Sequence, residues 1–395
     1  MVIGAYGGSV SDARPIISPP TTGRTGQFYS ASTSDNIAFI QFRDLEFYDP
    51  VKDPSHGDFD DPTSSVPGVR FYGWSRDIYF ENCTFRFQHT GCVFGYNSSI
   101  SPDGYPTRIT WFRCSFFDNY SANGDGHGIH TQDIDTALVD ECIFGHNGWE
   151  ETYDPRHPQS HNCYFGQNSD DITYRNCLSF QPSSMHIKLR HFSLGHAQIT
   201  QTITGNIFEE GIIGVSTGND TGGPPDDTLL HYKDTVVRGN VFTNMGGTDG
   251  THKKFGVDFQ MCEDCICEDN YFVQAPYEPT ESGFYCFRYF PDGDNPSGNL
   301  CQNNVEHGFE TAGDKFRNDH AHTAGTTLSG NTQDQLDSYW VDGEATLATY
   351  MDSLGYTATI AEWRSRLRNQ RKGNWDTALE AAPTVKYFQD SYTPV

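Results

Sequence analysis

The sequence predicts an all-β fold: a right-handed parallel β-helix of about nine or ten coils, with a small helical or irregular cap at its C-terminus. Three observations predict it. A short phrase recurs at spacings of 28 to 35 residues. Runs of β-branched and aromatic residues are brief and are broken by Gly, Asn and Asp. Helical spacing is scarce until about residue 334.

The phrase reads CTF at Cys83, CSF at Cys114, CIF at Cys142 and CLS at Cys177, then NIF at Asn206, NVF at Asn240 and NYF at Asn270. Weaker copies fall around Asn304 and Asn331, and DLEF at Asp44 reads as an earlier one. A repeated unit of this size marks a solenoid. Each unit opens with a strand such as RDIYFEN, passes the phrase and a polar turn, and continues into a second strand such as GCVFGYN, MHIKLRH or KFGVDFQ. In a parallel stack, equivalent residues lie about 4.8 Å apart. The phenylalanines are then expected to form an internal stack. The Cys or Asn before each one forms a second row at a bend, where Asn tolerates the left-handed conformation. Cys suits such a row as a small buried hydrophobe, so the 11 cysteines are expected to be mostly free thiols.

CEDCIC, with Cys262, Cys265 and Cys267, lacks the second CxxC-like pair that zinc sites use, and no metal ligands are assigned. Calcium is the only cofactor with candidate turns, Asn168–Asp171 and Asn219–Asp227, and neither matches a defined calcium loop. From about Gln333 the pattern becomes helical, with Ile360, Trp363 and Leu367 on one face. The expected organisation is a solenoid over 1–333 and a segment over 334–395 that covers its open end, because exposed strand edges aggregate.

The chain carries 52 acidic and 26 basic residues, a formal charge of −26. Such a charge argues against nucleic acid or an anionic membrane as partner. No run is long and apolar enough to cross a membrane. MVIGAYGGSV has neither the basic start nor the apolar core of a signal peptide, so the natural protein is expected either to be longer at this end or not to use that export route.

Three stretches resemble right-handed parallel β-helix repeat proteins of bacteria, the superfamily of pectate lyases, chondroitinase B and alginate lyases. VIGAYGGSVSDARPII is similar to a phrase of an early coil, HNGWEE through SHNCYF to SSMHIKLR resembles central coils, and SLGYTATIAEWRSRLRNQRKGNW is similar to a C-terminal tail. The resemblance implies the β-helix fold, a secreted or extracellular setting and a polysaccharide partner. A monomer is the expected state, or a trimer if the chain is a spike.

Basic residues are scarce, so the alternating SSMHIKLRH stands out. With Met185, Ile187 and Leu189 inward, His186, Lys188 and Arg190 face outward. One coil earlier, Cys163 and Phe165 inward put Asn162 and Tyr164 outward, with His161 flanking them. One coil before that, Ile129 points in and His130 out, with Asp125 and His127 in the turn. Later coils add Asp258, Gln260 and Arg288, and Trp149 is a stacking candidate for a sugar ring.

β-Elimination of a uronic-acid glycan needs a neutralised carboxylate, a base and an acid, which Arg, Lys, His and Tyr supply. The catalytic expectation is therefore Lys188 as base and Arg190 on the carboxylate, with His186, His161, Tyr164 and His130. His127, Asn162, Asp258, Gln260, Arg288 and Trp149 are expected to contact substrate. A glycoside hydrolase would instead use a carboxylate pair drawn from Asp125, Asp133, Asp135, Glu150, Glu151 and Asp154. A third reading is a non-catalytic glycan-binding spike or adhesin.

Overall fold

The computed structural model describes residues 1–4, 14–19, 27–30, 37–60, 63, 65–71, 73–95, 106–122, 125–154, 156–166, 169–190, 198–218, 232–246, 254–260, 262–273, 284–290, 298–307, 316–318, 326–333, 345–370 and 374–392. The candidate calcium turn at 219–227 lies outside them, as does Asn168 of the other. The fold is a parallel β-solenoid with, among the described residues, three α-helices in its C-terminal stretch. By compactness the chain divides into two units. The first comprises Met1–Thr173, Gln181–Phe192 and Gln370–Trp375; the second comprises Tyr174–Phe180, Ser193–Asn369 and Asp376–Val395.

Three parallel sheets build the first unit. The first sheet stacks Val2–Gly4, Ile37–Arg43, Ser75–Glu81, Thr107–Phe112 and Ala137–Asp140. The second stacks Ile16–Ile17, Glu46–Tyr48, Thr84–Arg86, Ser115–Phe117 and Ile143–Gly145. The third stacks Phe28–Ser30, Val69–Phe71, Thr90–Phe94, His127–Thr131, His161–Phe165 and Met185–Leu189. The second unit repeats the plan and adds a short sheet of Gln198–Ile199, Tyr232–Lys233 and Cys262–Glu263. Its first sheet runs from Thr202–Thr204 to Thr326–Ser329, its second from Leu178–Phe180 to Thr332–Gln333, and its third from Ile213–Thr217 to Phe316–Asn318. Among the described residues the number of coils differs slightly from the nine or ten expected.

The repeated phenylalanines form the expected stacks. Phe47, Phe85, Phe116 and Phe144 follow one another at 4.7, 4.8 and 4.8 Å in the first unit. Phe208, Phe242 and Phe272 follow at 5.0 and 4.8 Å in the second. Cys83, Cys114 and Cys142 occupy equivalent positions, since the residues after them pair in register. All 11 cysteines are free and buried. In the second unit the row is asparagine: Asn206, Asn240, Asn270 and Asn304 each pass a side-chain amide N–H to the Oδ1 of the next, ending at Asn331, at 2.8–3.0 Å.

The bend itself falls one residue earlier than the phrase suggests. Asp44, Asn82, Arg113, Glu141 and Asn176 hold φ between 50° and 58°, and Gly205, Gly239, Asp269, Asn303 and Gly330 between 54° and 66°. The left-handed residue turns the chain, which frees the Cys or Asn after it to point inward.

The C-terminal helices are Leu347–Ser353, Ile360–Arg368 and Ala381–Ser391. Thr346 and Thr359 cap the first two, each hydroxyl accepting an N–H from the third residue onward. Their contacts reach beyond the last coil, on which they are expected to pack. Within the second unit they lie along the second sheet, with Trp363 against Phe180 at 5.7 Å, Arg364 on Glu209 and Glu210, and Tyr392 against His307 at 4.8 Å. Trp363 is fully buried, whereas Trp375 is half-buried and its ring centre lies 5.9 Å from the Arg113 guanidinium.

Candidate functional site

The third sheet of the first unit positions the candidate site. Ile129, Cys163 and Ile187 pair in register and are buried, as are Thr131, Phe165 and Leu189. The residues between them therefore project from the other face, and His130, Tyr164 and Lys188 form one row. Extended back through the register, the row continues to Val93 and Arg70.

Tyr164 is the centre of the cluster. His130 meets its ring edge-on at 4.8 Å, and His127 and His161 lie roughly parallel to it at 5.4 and 5.7 Å. Arg190 Nη1 donates to the Tyr164 hydroxyl at 3.2 Å. The main-chain N–H of His161 donates to His127 Nδ1 at 3.1 Å, which leaves the Nε2 as the protonated nitrogen of a neutral ring. Burial pushes His127 well below the usual imidazole range. It takes His130 down to about 4, with Arg70 adding repulsion, and His186 to about 3, with Arg156 adding it. These imidazoles are neutral at pH 7 in a field of surrounding cations.

Not every side chain expected to face outward is open to solvent. His130 and Arg190 are half-buried and Tyr164 is 8% exposed, but His186 and Lys188 are fully enclosed. Alternation fixes which way a side chain leaves the strand, not what packs over it. The insertion after Asn147 lies against the entry to the strand: Trp149 Nε1 donates to the Gln181 carbonyl at 3.0 Å, and Ser183 Oγ to the His157 carbonyl at 2.9 Å.

Asn162 points inward, not outward as expected. Its Oδ1 accepts from Asn147 Nδ2 at 2.8 Å, and Asn147 in turn accepts from Asn119. At the corner where the chain enters the strand, satisfying a buried amide overrides period-two alternation. Trp149 is flanked by His146 at 4.1 Å and by the Arg156 guanidinium at 4.3 Å.

Asp258, Gln260 and Arg288 belong to the second unit and form a network of their own. Arg288 grips Asp258 with two hydrogen bonds of 2.7 and 2.6 Å, and Gln260 donates to Asp258 at 2.7 Å. The Arg288 guanidinium also lies 4.0 Å from the Phe255 ring centre.

Of the carboxylates considered for hydrolysis, Asp154 has the most unusual surroundings. Burial pushes its carboxyl up to about 6, and its Oδ2 accepts the Ser121 N–H at 3.1 Å. Nearby, Lys52 is fully buried, its ammonium bonded to the Tyr120 carbonyl and 4.6 Å from the Tyr120 ring centre. Glu151 lies 3.2 Å from His146, and Asp135 accepts from Thr107. Sequence reasoning missed Arg70, Arg156 and Lys52, because each reaches its place from a separate coil or loop. Among the described residues no group of three His, Cys, Asp or Glu side chains is placed to hold a metal ion. No helix among them is long and apolar enough to cross a membrane.

No family model matches the chain, and a search of curated proteins found no match. Among solved structures it is similar to a mutant tailspike protein of E. coli bacteriophage HK620 in complex with a pentasaccharide, at 14% identity and a TM-score of 0.48, over 76% of this chain and 48% of that one. A double mutant of the same tailspike matches at 12% identity and 0.44, over 82% and 60%. DFA-IIIase from Arthrobacter chlorophenolicus in complex with GF2 matches at 10% and 0.38, over 70% and 65%. The chain spans about half the length of the first of these.

Proposed function

We propose that the protein acts on an acidic polysaccharide outside the cell, cleaving it by β-elimination at the cluster around Tyr164. The observation that carries this reading is the Arg190 hydrogen bond to the Tyr164 hydroxyl, set among neutral imidazoles. A cationic donor on a phenol oxygen favours the anion that a proton-transferring tyrosine passes through. Arg190 and the cations behind it neutralise the uronate carboxylate, which makes the neighbouring C–H acidic. His130, neutral and half-buried, takes that proton. The C–H electron pair becomes the new C=C bond as the C–O bond to the leaving sugar breaks. Tyr164 donates its proton to the departing oxygen; through solvent, His130 then releases the proton it took and Tyr164 regains one. With Lys188 enclosed, the base role expected of it passes to His130 in this reading.

The raised carboxyl of Asp154 supports a second reading, glycoside hydrolysis, which needs one acid held protonated near neutrality. One experiment separates the possibilities: a panel of uronic-acid and neutral polysaccharides, followed for reducing ends and for absorbance of an unsaturated product. Both signals on a polyuronate support elimination. Reducing ends alone support hydrolysis. Binding with neither signal supports a spike or adhesin and overturns catalysis.

A further inference from the structure

We propose that the outer face of the first sheet in the first unit is a second, non-catalytic binding site for an anionic saccharide chain. A groove of about 510 Å³ crosses this face. Gln41, Tyr79 and Thr110 pair in register along its floor, and Phe39, Arg43 and Arg108 line its sides.

Two features here work against stability. Phe39 is 61% exposed, which leaves a large aromatic ring in water. It also holds φ at 59°, a conformation that bulky residues rarely adopt. Asp77 and Arg108 share that left-handed conformation on the two following coils, so the backbone shape belongs to the fold. The choice of phenylalanine does not follow from it, since Asn or Asp would fit the position better. Strain joined to an exposed ring is a reason to look for a ligand.

The charges beside the ring indicate which ligand. Arg108 is tied to Asp77 by bonds of 2.7 and 2.8 Å, and Arg43 to Glu81 at 3.0 Å. Arg76 is different. Its guanidinium lies 4.5 Å from the Trp74 ring centre and 5.5 Å from that of Phe39, and among the described residues it makes no ion pair. Its buried Nε has no hydrogen-bond partner. A half-buried arginine racked between aromatic rings presents its planar fork to a carboxylate, while Phe39 and Tyr79 offer apolar faces to the flat side of a sugar ring. Together these groups suit a chain of uronate residues. Two sites on one polymer raise its effective concentration at the reacting cluster without any new contact there.

The test uses the full chain carrying Tyr164→Phe, so that no oligosaccharide is consumed. Oligogalacturonate and oligoguluronate of about six sugars are titrated by calorimetry, with cello-oligosaccharide as the neutral control. Phe39→Asn and Arg76→Gln are each expected to weaken binding of at least one oligouronate about tenfold or more, with melting unchanged or raised for Phe39→Asn. Neither oligouronate binding, affinity unmoved by both variants, or equal binding of the neutral control would overturn the proposal. So would sedimentation showing that Phe39→Asn abolishes only self-association. If the elimination reading fails, the unmodified chain yields no unsaturated product while Phe39-dependent binding persists, so the two failures are distinguishable.

Discussion

Arg364 closes on Glu209 across 155 residues of sequence, its guanidinium donating to both carboxylate oxygens and to Glu210 as well. Glu209 is fully buried, and burial outweighs the attraction of Arg364 to lift its carboxyl to about 7. The C-terminal helices are thus held to the second sheet by a desolvated pair, not by apolar packing alone.

Replacing Arg364 with Met should leave that carboxyl without its cation. Removing one partner of a buried pair typically costs about 3–5 kcal/mol. The loss should be larger at pH 8 than at pH 5, where Glu209 can protonate, and Glu209→Gln in the same chain should recover part of it. Urea unfolding at the two pH values measures this; equal loss at both would contradict it.

Stability should fall as pH drops below 6.5. His127, His130 and His186 stay neutral in the folded protein, so the unfolded chain alone takes up protons from pH 6.5 down to about 4 for His130 and 3 for His186. Each group contributes a slope of up to about 1.4 kcal/mol per pH unit. Glu209 acts in the opposite sense: its raised value favours the fold at low pH, and that contribution is lost as pH rises from about 4.5 through 7. His186→Gln should flatten the acid slope by about one group's worth, and an unchanged slope between pH 6 and 4.5 would count against a neutral His186.

Tyr164→Phe and Arg190→Lys should each lower turnover by about 10²–10⁴ on whichever polyuronate is cleaved, with unfolding midpoints little changed. A Tyr164→Phe protein with full activity would remove the proposed acid.

Lys188→Ala should destabilise the protein by about 2–5 kcal/mol, since it empties a fully enclosed site. Lys188→Met, which keeps the stem, should recover most of the packing. If both variants melt like the parent, the enclosure of Lys188 is wrong.

Asn240→Ala should cost about 1–3 kcal/mol for each group it strands. Asn240 Oδ1 accepts from the main chain and side chain of Asn206, and its Nδ2 serves the Ile203 carbonyl. Midpoints in urea would show it.

Much of the fold is legible in the sequence because a solenoid repeats its grammar. Phe47, Phe85 and Phe116 recur in register, so their stacking follows from spacing alone. The left-handed corner is harder to read, since Arg113 and Glu141 occupy it where Asn or Gly would advertise it. In the site, alternation correctly aligns His130, Tyr164 and Lys188. It does not reveal that Lys188 is enclosed, because covering a face depends on loops from other coils. Asn162 misleads for a related reason: its partner Asn147 lies 15 residues away, around a turn whose length no periodicity encodes. The tail's amphipathic face around Trp363 shows that it packs but not against what.

The asparagine row has a consequence for how such a chain changes over generations. Its rungs are separated by 34, 30, 34 and 27 residues. Yet each makes the same bond to the next, because the rise per coil is set by the sheets at about 4.8 Å. Insertions and deletions between rungs are absorbed by the turns without shifting the interior register. Surface loops can therefore diversify while the scaffold is inherited intact, which lets a new binding specificity arise by altering a loop's length with the core unchanged.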